Sequence, residues 1–289
     1  MRSKGFIGLG VMGFPMASHL QKGSHDVRVY NRSQEKSIKW AESSGGGYFL
    51  TPEEAAEGCD VVFLCVGRDE DVRLVVTGED GLLKSLKPGS IIVDHTTTSA
   101  TLAEEMSSAC LNQEIAFIDA PLSGGQIGAE TGQLTIMAGG DLDAFNKIKD
   151  LLSLYSKFVR YMGESGSGQL TKMVNQICIA GLIQGLAEGI NFSEKAGLDT
   201  RGVIDVISKG AAQSWQMDNR WETMLSREYD HGFAVDWMRK DLGIALEESE
   251  KNAARMDITR QIDQYYEQVQ SMGGGRWDTS SLLKRLQDE

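Results

Sequence analysis

The chain has 289 residues, 41% of them hydrophobic and 24% charged, which is typical of a folded globular protein with about two domains. Its net charge of -12 removes long-range attraction to nucleic-acid phosphates and anionic membranes, so we expect neither as a partner. The four cysteines form no C-x-x-C pair and no histidine pair has metal-ligand spacing. We therefore expect buried free thiols, no bound metal and a reducing, cytoplasmic location. A strand-like segment begins almost at the N-terminus and no run of about 18 apolar residues follows, so we expect neither a signal peptide nor a membrane span.

Up to about residue 160, short apolar runs alternate with helical segments, which predicts βαβ units and a mostly parallel sheet. The predicted strands are GFIGLG, DVRVYN, DVVFLCV, SIIVDHT, IAFIDAP and QLTIMAGG. After Gly166 the alternation stops, and one long helix is predicted to end before Gly197. Further helices are predicted in DTRGVIDVISKG, NRWETMLSRE, WMRKDLGIALEESEKNAA and TRQIDQYYEQVQSM, and a last helix is predicted after the loop SMGGGRWD (271–278). The prediction is an α/β Rossmann-type domain over residues 1–165, linked through the long helix to an all-α domain over residues 166–289, with GESGSG (163–168) as a flexible joint.

Small residues recur along the long predicted helix at three-to-four spacing. They are Ala180, Gly181, Gly185 and Gly189. Such a stripe either lets another helix approach closely or only weakens the helix, and both interpretations stay open.

Three glycines near the N-terminus form a G-x-G-x-x-G motif between a predicted strand and a predicted helix, and a second strand follows. In a dinucleotide site the first glycine makes the turn tight, the second lets a pyrophosphate approach, and the third lets helix and strand pack. Free N–H groups and the helix dipole then hold the phosphates. We predict that this turn binds a dinucleotide through Gly8, Leu9, Gly10, Val11, Met12 and Gly13.

The end of the second strand indicates which dinucleotide binds. An NAD site usually carries Asp or Glu there, but this chain has Asn31, Arg32 and Ser33, followed by Lys36. Arg32 can grip a 2′-phosphate or stack on adenine, and Ser33 and Lys36 can add donors. We therefore predict NADP as cofactor, with NAD possible; the alternative is a solvated Arg/Lys pair on a surface loop.

Three further stretches complete a pattern: DAPLSGGQIGAETGQLTIMAGG (119–140), GSGQLTKMVNQ (166–176) and WMRKDLGIALEES (237–249). Together with the N-terminal glycines they resemble the β-hydroxyacid dehydrogenase family over essentially the whole chain. The resemblance implies hydride transfer between a nicotinamide and a small carboxylate-bearing 3-hydroxy acid or its semialdehyde, by a homodimer or homotetramer.

Within that class we expect an NADP-dependent enzyme similar to the glyoxylate and succinic semialdehyde reductases. The alternatives are an NAD-dependent 3-hydroxyisobutyrate or serine dehydrogenase, and a non-catalytic NADP(H)-binding module. Imine reductases share the fold but lack a lysine at the catalytic position, so Lys172 argues against them.

The substrate segment is predicted at Ser123, Gly124 and Gly125, where consecutive N–H groups and a hydroxyl suit a carboxylate. Lys172 and Asn175 lie three residues apart, so they share one helix face. The resemblance implies that they are the catalytic lysine and its asparagine partner. The lysine could move the hydroxyl proton if burial or a nearby cation lowered its pKa.

The resemblance also implies roles in the C-terminal half. Lys240 and Asp241 match the family's Lys-Asp pair, so Lys240 could contact the substrate carboxylate or the nicotinamide end, and could be the cation near Lys172. Phe233 and Trp237 are expected to wall the acyl pocket, although either could belong to the core.

Two cofactor contacts are implied at the ends of strands. Thr96, within VDHTTTSA (93–100), corresponds to the threonine near the nicotinamide ribose, and Val66 should line the adenosine side. His95 is expected to pack and not to catalyse.

Overall fold

The computed structural model describes residues 3–287 and divides into two compact units, of which the first ends at Lys172 and the second begins at Met173. The first is a sheet with helices and the second is helical, which confirms the predicted fold class. In chain order the strands are β1 Ser3–Ile7, β2 Val27–Tyr30, β3 Gly47–Tyr48, β4 Cys59–Leu64, β5 Ile91–Asp94, β6 Ala116–Asp119, β7 Leu122–Ser123, β8 Leu134–Gly140 and β9 Ser156–Gly163.

These strands form one sheet in the order β3-β2-β1-β4-β5-β6-β8-β7, and β9 pairs with β8. All neighbours from β3 to β6 are parallel, as are β8 and β9, whereas β8 runs antiparallel to β6 and to β7. The sheet is thus mostly parallel, as the alternation of strands and helices predicted.

Helices of the first unit cover both faces of the sheet. They are α1 Gly13–Lys22, α2 Gln34–Ser44, α3 Pro52–Ala56, α4 Asp69–Thr77, α5 Ala100–Leu111, α6 Gly125–Glu130 and α7 Leu142–Leu152, with a short 3-10 turn at Leu82–Lys84. Successive strand residues face opposite sides. Phe6 and Phe63 therefore enter one hydrophobic core, while Ile7 and Leu64 enter the other. Burial on both faces explains why the central strands read as almost continuous apolar runs.

The second unit is built from helices. They are α8 Ser167–Lys195, which begins before the boundary, α9 Thr200–Ile207, α10 Trp215–Ser226, α11 Val235–Asn252, α12 Asp257–Ser271 and α13 Leu282–Gln287, with a 3-10 turn at Thr279–Ser281. As predicted, α8 is a single long helix of 29 residues. It ends where Gly197 takes the left-handed conformation (φ +71°) and the Leu198 N–H donates to the Ser193 carbonyl.

One described helix, α8, is long and apolar enough to cross a membrane, and 44% of its most apolar window is buried inside the protein. Core helices of globular proteins meet the same criterion, so this is weak evidence for a span. Two of the four expected buried thiols, Cys59 and Cys110, are buried. Cys65 is partly exposed and Cys178 is exposed, because it lies on the outer face of α8, so the expectation of burial was wrong there.

Candidate active site

The glycine turn between β1 and α1 is tight at two glycines and open at the third. Gly8 has φ +96° and donates its N–H to the Tyr30 carbonyl at 2.9 Å. A Cβ on Gly8 would overlap the Cys65 carbonyl, and one on Gly13 would overlap the Gly8 carbonyl. A Cβ on Gly10 would meet nothing within 4 Å. This shape fits a dinucleotide, whose pyrophosphate could approach the open side at Gly10.

The end of β2 is tied to this turn. Asn31 Oδ1 accepts the Leu9 N–H at 2.8 Å, and Asn31 Nδ2 donates to the Ser33 carbonyl at 3.0 Å. Arg32 is 89% exposed, with Nη1 3.5 Å from Asp71 Oδ1. Because such an exposed pair is worth little, the guanidinium can turn to another anion. Ser33 and Lys36, which follow Arg32 in the sequence, are also exposed. Val11 of the glycine turn is exposed as well.

The ends of β4 and β5 bring two predicted cofactor residues into contact. The Val66 N–H donates to Thr96 Oγ1 at 3.0 Å, and the Thr96 N–H donates to Asp94 Oδ1 at 2.9 Å. His95 points into the core, where Nδ1 donates to the Ala120 carbonyl at 2.6 Å and Nε2 accepts from the Tyr155 hydroxyl at 2.9 Å. Burial lowers the pKa of His95 to about 4, so the ring is neutral and packs, as expected.

Two buried carboxyl groups lie side by side beneath these strand ends, because Asp94 of β5 is in register with Asp119 of β6. Burial raises the pKa of Asp94 to about 7, and the charge of Asp119 adds to the effect. Asp94 Oδ2 is buried with no hydrogen-bond partner among residues 3–287. Burial also raises the pKa of Asp119 to about 6, although hydrogen bonds from Gly166 and Gln169 lower it.

We expect Asp94→Asn to be more stable than wild type by an amount that grows between pH 4 and 7. The unfolded chain releases this proton near its usual pKa of about 3.9, whereas the folded protein retains it until about pH 7. Wild type therefore loses stability as pH rises through this window, at no more than about 1.4 kcal/mol per pH unit, and the amide does not titrate. Urea unfolding at pH 5, 6, 7 and 8 measures the difference. Asp150→Asn, on the exposed face of α7, is the control; a difference for Asp94→Asn that stayed constant with pH would contradict this account.

The predicted substrate segment and Lys172 are brought together within the first unit. Gly124 and Gly125 both have positive φ, at +131° and +61°, so the chain turns sharply after Ser123. Lys172 is 7% exposed, and its Nζ donates to the Leu122 carbonyl at 2.7 Å, one residue before Ser123. A buried amine thus lies beside a turn whose two glycines are exposed.

Lys172 lies in the second turn of α8, and the first turn of this helix is anchored to the sheet by Asp119. Its carboxylate accepts the Gly166 N–H at 2.8 Å and the Gln169 N–H at 3.0 Å, which satisfies donors that a helix N-terminus leaves unpaired. A Cβ on Gly168 would overlap the Met137 and Asp119 carbonyls. The glycines of the GESGSG segment therefore allow close packing within the first unit, and the expectation of a flexible joint stays a prediction.

In the second unit a chain of polar contacts links α11 to α8. Lys240 Nζ lies 3.2 Å from Asp241 Oδ1 and 5.7 Å from the centre of the Trp237 ring. Asp241 is buried, and its Oδ2 accepts from Gln176 Nε2 at 2.7 Å. Gln176 Oε1 in turn accepts from Asn175 Nδ2 at 2.8 Å. One network thus contains four residues that were named from the sequence: Asn175, Trp237, Lys240 and Asp241. Gln176 connects Asn175 to the other three.

Phe233 is half-buried and packs beside the helical core. Its backbone N–H donates to Asp278 Oδ2 at 2.8 Å, and Asp278 Oδ1 lies 3.2 Å from Arg220 Nε. The segment that carries Phe233 is therefore held by a buried ion pair. Within residues 3–287, no group of three or more His, Cys, Asp or Glu side chains gathers as a metal site.

Comparison with known families accounts for both units. Residues 3–163 match the family described as the NAD binding domain of 6-phosphogluconate dehydrogenase, and residues 166–286 match that described as NAD-binding of NADP-dependent 3-hydroxyisobutyrate dehydrogenase. The chain belongs to the β-hydroxyacid dehydrogenase family. This β-hydroxyacid dehydrogenase is an NAD(P)-dependent oxidoreductase that acts on CH–OH groups.

Relatives match the dehydrogenase over its whole length. An uncharacterized oxidoreductase of Shewanella frigidimarina (strain NCIMB 400) is 57% identical and covers 99% of both chains. The 2-hydroxy-3-oxopropionate reductase of Escherichia coli (strain K12) is 32% identical, over 98% of this chain and 96% of its own. A solved structure of Mycobacterium tuberculosis 3-hydroxyisobutyrate dehydrogenase with L-serine is 26% identical, with a TM-score of 0.88 over 99% of both chains.

Three residues with many contacts were not singled out in the sequence. Gln169 and Gln176 lie three residues before and four after Lys172, so helical spacing could have marked them. Asp119 opens the DAPLSGG stretch, but nothing in the sequence indicates that it reaches a helix 47 to 50 residues later.

Proposed function

We propose that this dehydrogenase is an NADP-dependent reductase of small carboxylate-bearing semialdehydes, with glyoxylate and succinic semialdehyde as the first compounds to test. The observation that carries the proposal is the buried Lys172 amine at 2.7 Å from the Leu122 carbonyl, beside the Ser123–Gly125 turn. Reduction is the favoured direction, because cells generally keep the NADP pool reduced. The 2-hydroxy-3-oxopropionate reductase among its relatives supports this choice.

In this proposal each group has one task. The nicotinamide cofactor, when bound, supplies or accepts the hydride. Lys172 gives a proton to the carbonyl oxygen during reduction and takes the hydroxyl proton during oxidation. The Ser123 hydroxyl and the N–H groups of Gly124 and Gly125, two exposed residues, hold the substrate carboxylate. Burial keeps water from competing for the lysine proton.

The choice of NADP depends on the end of β2. Asn31, Arg32 and Ser33 stand where an NAD site usually has a carboxylate, and a carboxylate would repel a 2′-phosphate. Arg32 is 89% exposed and able to form charge-assisted hydrogen bonds with a phosphate. The NADP-dependent family matched by residues 166–286 supports the same choice.

Arg32→Asp is expected to weaken NADPH binding about 10- to 100-fold while leaving NADH binding unchanged or improved. The variant removes charge-assisted hydrogen bonds worth about 1.5–3 kcal/mol and places a like charge near the phosphate. Titrations of both reduced cofactors, followed by protein fluorescence, measure the two dissociation constants. Lys149→Asp on α7 makes the same change of charge at an exposed site distant in sequence and should alter neither. Preference of wild type for NADH would overturn the choice of NADP.

A panel of short semialdehydes and hydroxy acids, assayed with both cofactors, tests the reaction itself. Turnover of glyoxylate or succinic semialdehyde supports the proposal. Turnover of only 3-hydroxyisobutyrate or serine would favour the oxidising alternative, which the M. tuberculosis relative with L-serine makes the second candidate. NADPH binding without turnover of any compound would leave a non-catalytic module.

We also propose a cytoplasmic homodimer or homotetramer that associates through α8. The outer face of this helix carries exposed apolar side chains, including Val174 (60%), Leu182 (45%) and Phe192 (71%). Gly181, Gly185 and Gly189 lie along the same helix, and a Cβ added to any of them would meet nothing within 4 Å, so a partner helix could approach closely. Light scattering of the purified protein would measure the mass of the assembly.

A further inference from the structure

A buried glutamine ties the lysine-bearing helix to the threonine loop at the end of β5. Gln169 is fully buried and lies one helical turn before Lys172. Its Nε2 donates to the Thr96 carbonyl at 2.8 Å, and its Oε1 accepts the Thr98 N–H at 3.1 Å. Two hydrogen bonds thus connect the threonine loop, residues 95–99, to the first turn of α8.

A carboxamide of this length satisfies both partners, whereas an ionised carboxylate does not. The Thr96 carbonyl can only accept and the Thr98 N–H can only donate, so the orientation of the Gln169 amide is determined. A carboxylate has no proton for Thr96, and a methionine side chain would leave both backbone groups unpaired in a buried site. The two contacts therefore depend on the amide group of Gln169 and not only on the volume of its side chain.

Gln169 has a further contact through its backbone, and Thr96 extends the network to two more residues of the first unit. Its backbone N–H donates to Asp119 Oδ2 at 3.0 Å, which anchors the helix turn to β6. Thr96 accepts the Val66 N–H through Oγ1 and donates its own N–H to Asp94. Gln169 therefore joins the helix to the ends of β4, β5 and β6.

We propose that Gln169 is a positioning residue, which holds the Lys172 amine in register with the Thr96 loop while touching neither substrate nor cofactor. The inference deepens the proposed function and rests on it, since the register matters for catalysis only if Lys172 transfers the proton. Misplacing a reacting group by about 1 Å can cost roughly 100-fold in rate. The effect is therefore expected on turnover, not on substrate affinity.

The first test is Gln169→Met, which keeps the volume and removes both hydrogen bonds. We expect kcat to fall about 10- to 100-fold, with the substrate KM changed less than about threefold. Gln113→Met, at an exposed glutamine of the first unit, should behave as wild type. Circular dichroism at the assay temperature must show both variants fully folded. Wild-type kcat in Gln169→Met would overturn the proposal, as would a fall in kcat that matched the loss of folded protein.

The second test uses Gln169→Glu, which should regain activity as the pH falls. An ionised carboxylate repels the Thr96 carbonyl, whereas the protonated acid can donate to it and accept from Thr98 as the amide does. Asp94, Asp119, His95 and Lys172 lie on the elements that pack around Gln169 and are present in every variant, so activities are compared as ratios to wild type at each pH. The ratio should rise toward acid for Gln169→Glu and stay flat for Gln169→Met. A flat ratio for both variants would contradict the proposal. If Gln169→Met does not fold, the pH dependence of Gln169→Glu alone tests the proposal.

A third measurement does not depend on turnover. Amide hydrogen exchange at Thr98 should be at least about tenfold faster in Gln169→Met, while amides of β4 are unchanged. A crystal structure of the variant should show Lys172 Nζ displaced from the Leu122 carbonyl. If wild type reduces no substrate in the panel, the proposed function fails, yet these two results still decide whether Gln169 positions the lysine. An unmoved Lys172 would refute the positioning role even if the enzyme is active.

Discussion

Lys172→Met is expected to lower kcat about 1000-fold without changing NADPH affinity more than about threefold. A positioned general acid or base contributes roughly 100- to 10,000-fold, and methionine fills similar space without a transferable proton. Methionine removes a buried charge, which offsets part of the cost of losing the hydrogen bond to the Leu122 carbonyl, so we expect the variant to stay folded. Steady-state kinetics with the best substrate of the panel, together with cofactor titration and a thermal melt, would separate chemistry from binding and folding.

The matched control is Lys147→Met, at an exposed lysine of α7. It should retain wild-type kcat and the same melting temperature. If Lys172→Met kept more than about a third of wild-type turnover, proton transfer by this amine would be excluded.

Two glycine variants of the turn between β1 and α1 are expected to have different effects, one on stability and the other on cofactor binding. Gly13→Ala should destabilise the protein by about 2–3 kcal/mol, because its Cβ would overlap the Gly8 carbonyl and force the backbone apart. Gly10→Ala should change the free energy of unfolding by less than about 0.5 kcal/mol, since a Cβ there meets nothing within 4 Å. Gly10→Ala should nevertheless weaken NADPH binding at least about tenfold, because a methyl group would occupy the side where the pyrophosphate approaches.

Urea unfolding and NADPH titration of the two variants give the four values required. Each variant serves as the control for the other, since both add one methyl group to the same turn. NADPH binding of wild-type strength in Gly10→Ala would mean that the open side of the turn does not face the phosphates. Unchanged stability in Gly13→Ala would show that the turn can relax around the added group.

The sequence predicted the buried strands well and missed the two shortest strands and the most exposed one. All six apolar runs are strands, because central parallel strands must be buried on both faces. Three strands were missed. Gly47–Tyr48 and Leu122–Ser123 have two residues each, too few for a period to show. Ser156–Gly163 has no fully buried residue and carries Lys157 and Arg160, so its pattern is that of an exposed segment.

The sequence predicted the parts of the candidate site that depend on residues close together in the chain. It missed the parts that depend on contacts between distant residues. The glycine turn, Arg32 and the positive-φ glycines after Ser123 follow from residue types at fixed spacing, and their functional roles stay predictions. The contacts of Gln169 with Thr96 and Thr98 join residues 71 to 73 positions apart, which no spacing rule reaches. The close packing of Gly168 against the Met137 and Asp119 carbonyls is another long-range contact that the sequence did not predict.

The glycine turn between β1 and α1 is restrained by the protein's own hydrogen bonds. Gly8 donates to Tyr30, Leu9 donates to the Asn31 side chain, and the Gly10 carbonyl accepts from Phe14. A loop restrained in this way loses little conformational entropy when a ligand docks, so binding free energy is not spent on ordering it. Association with the nucleotide should therefore be a single fast step whose rate rises with cofactor concentration without reaching a plateau.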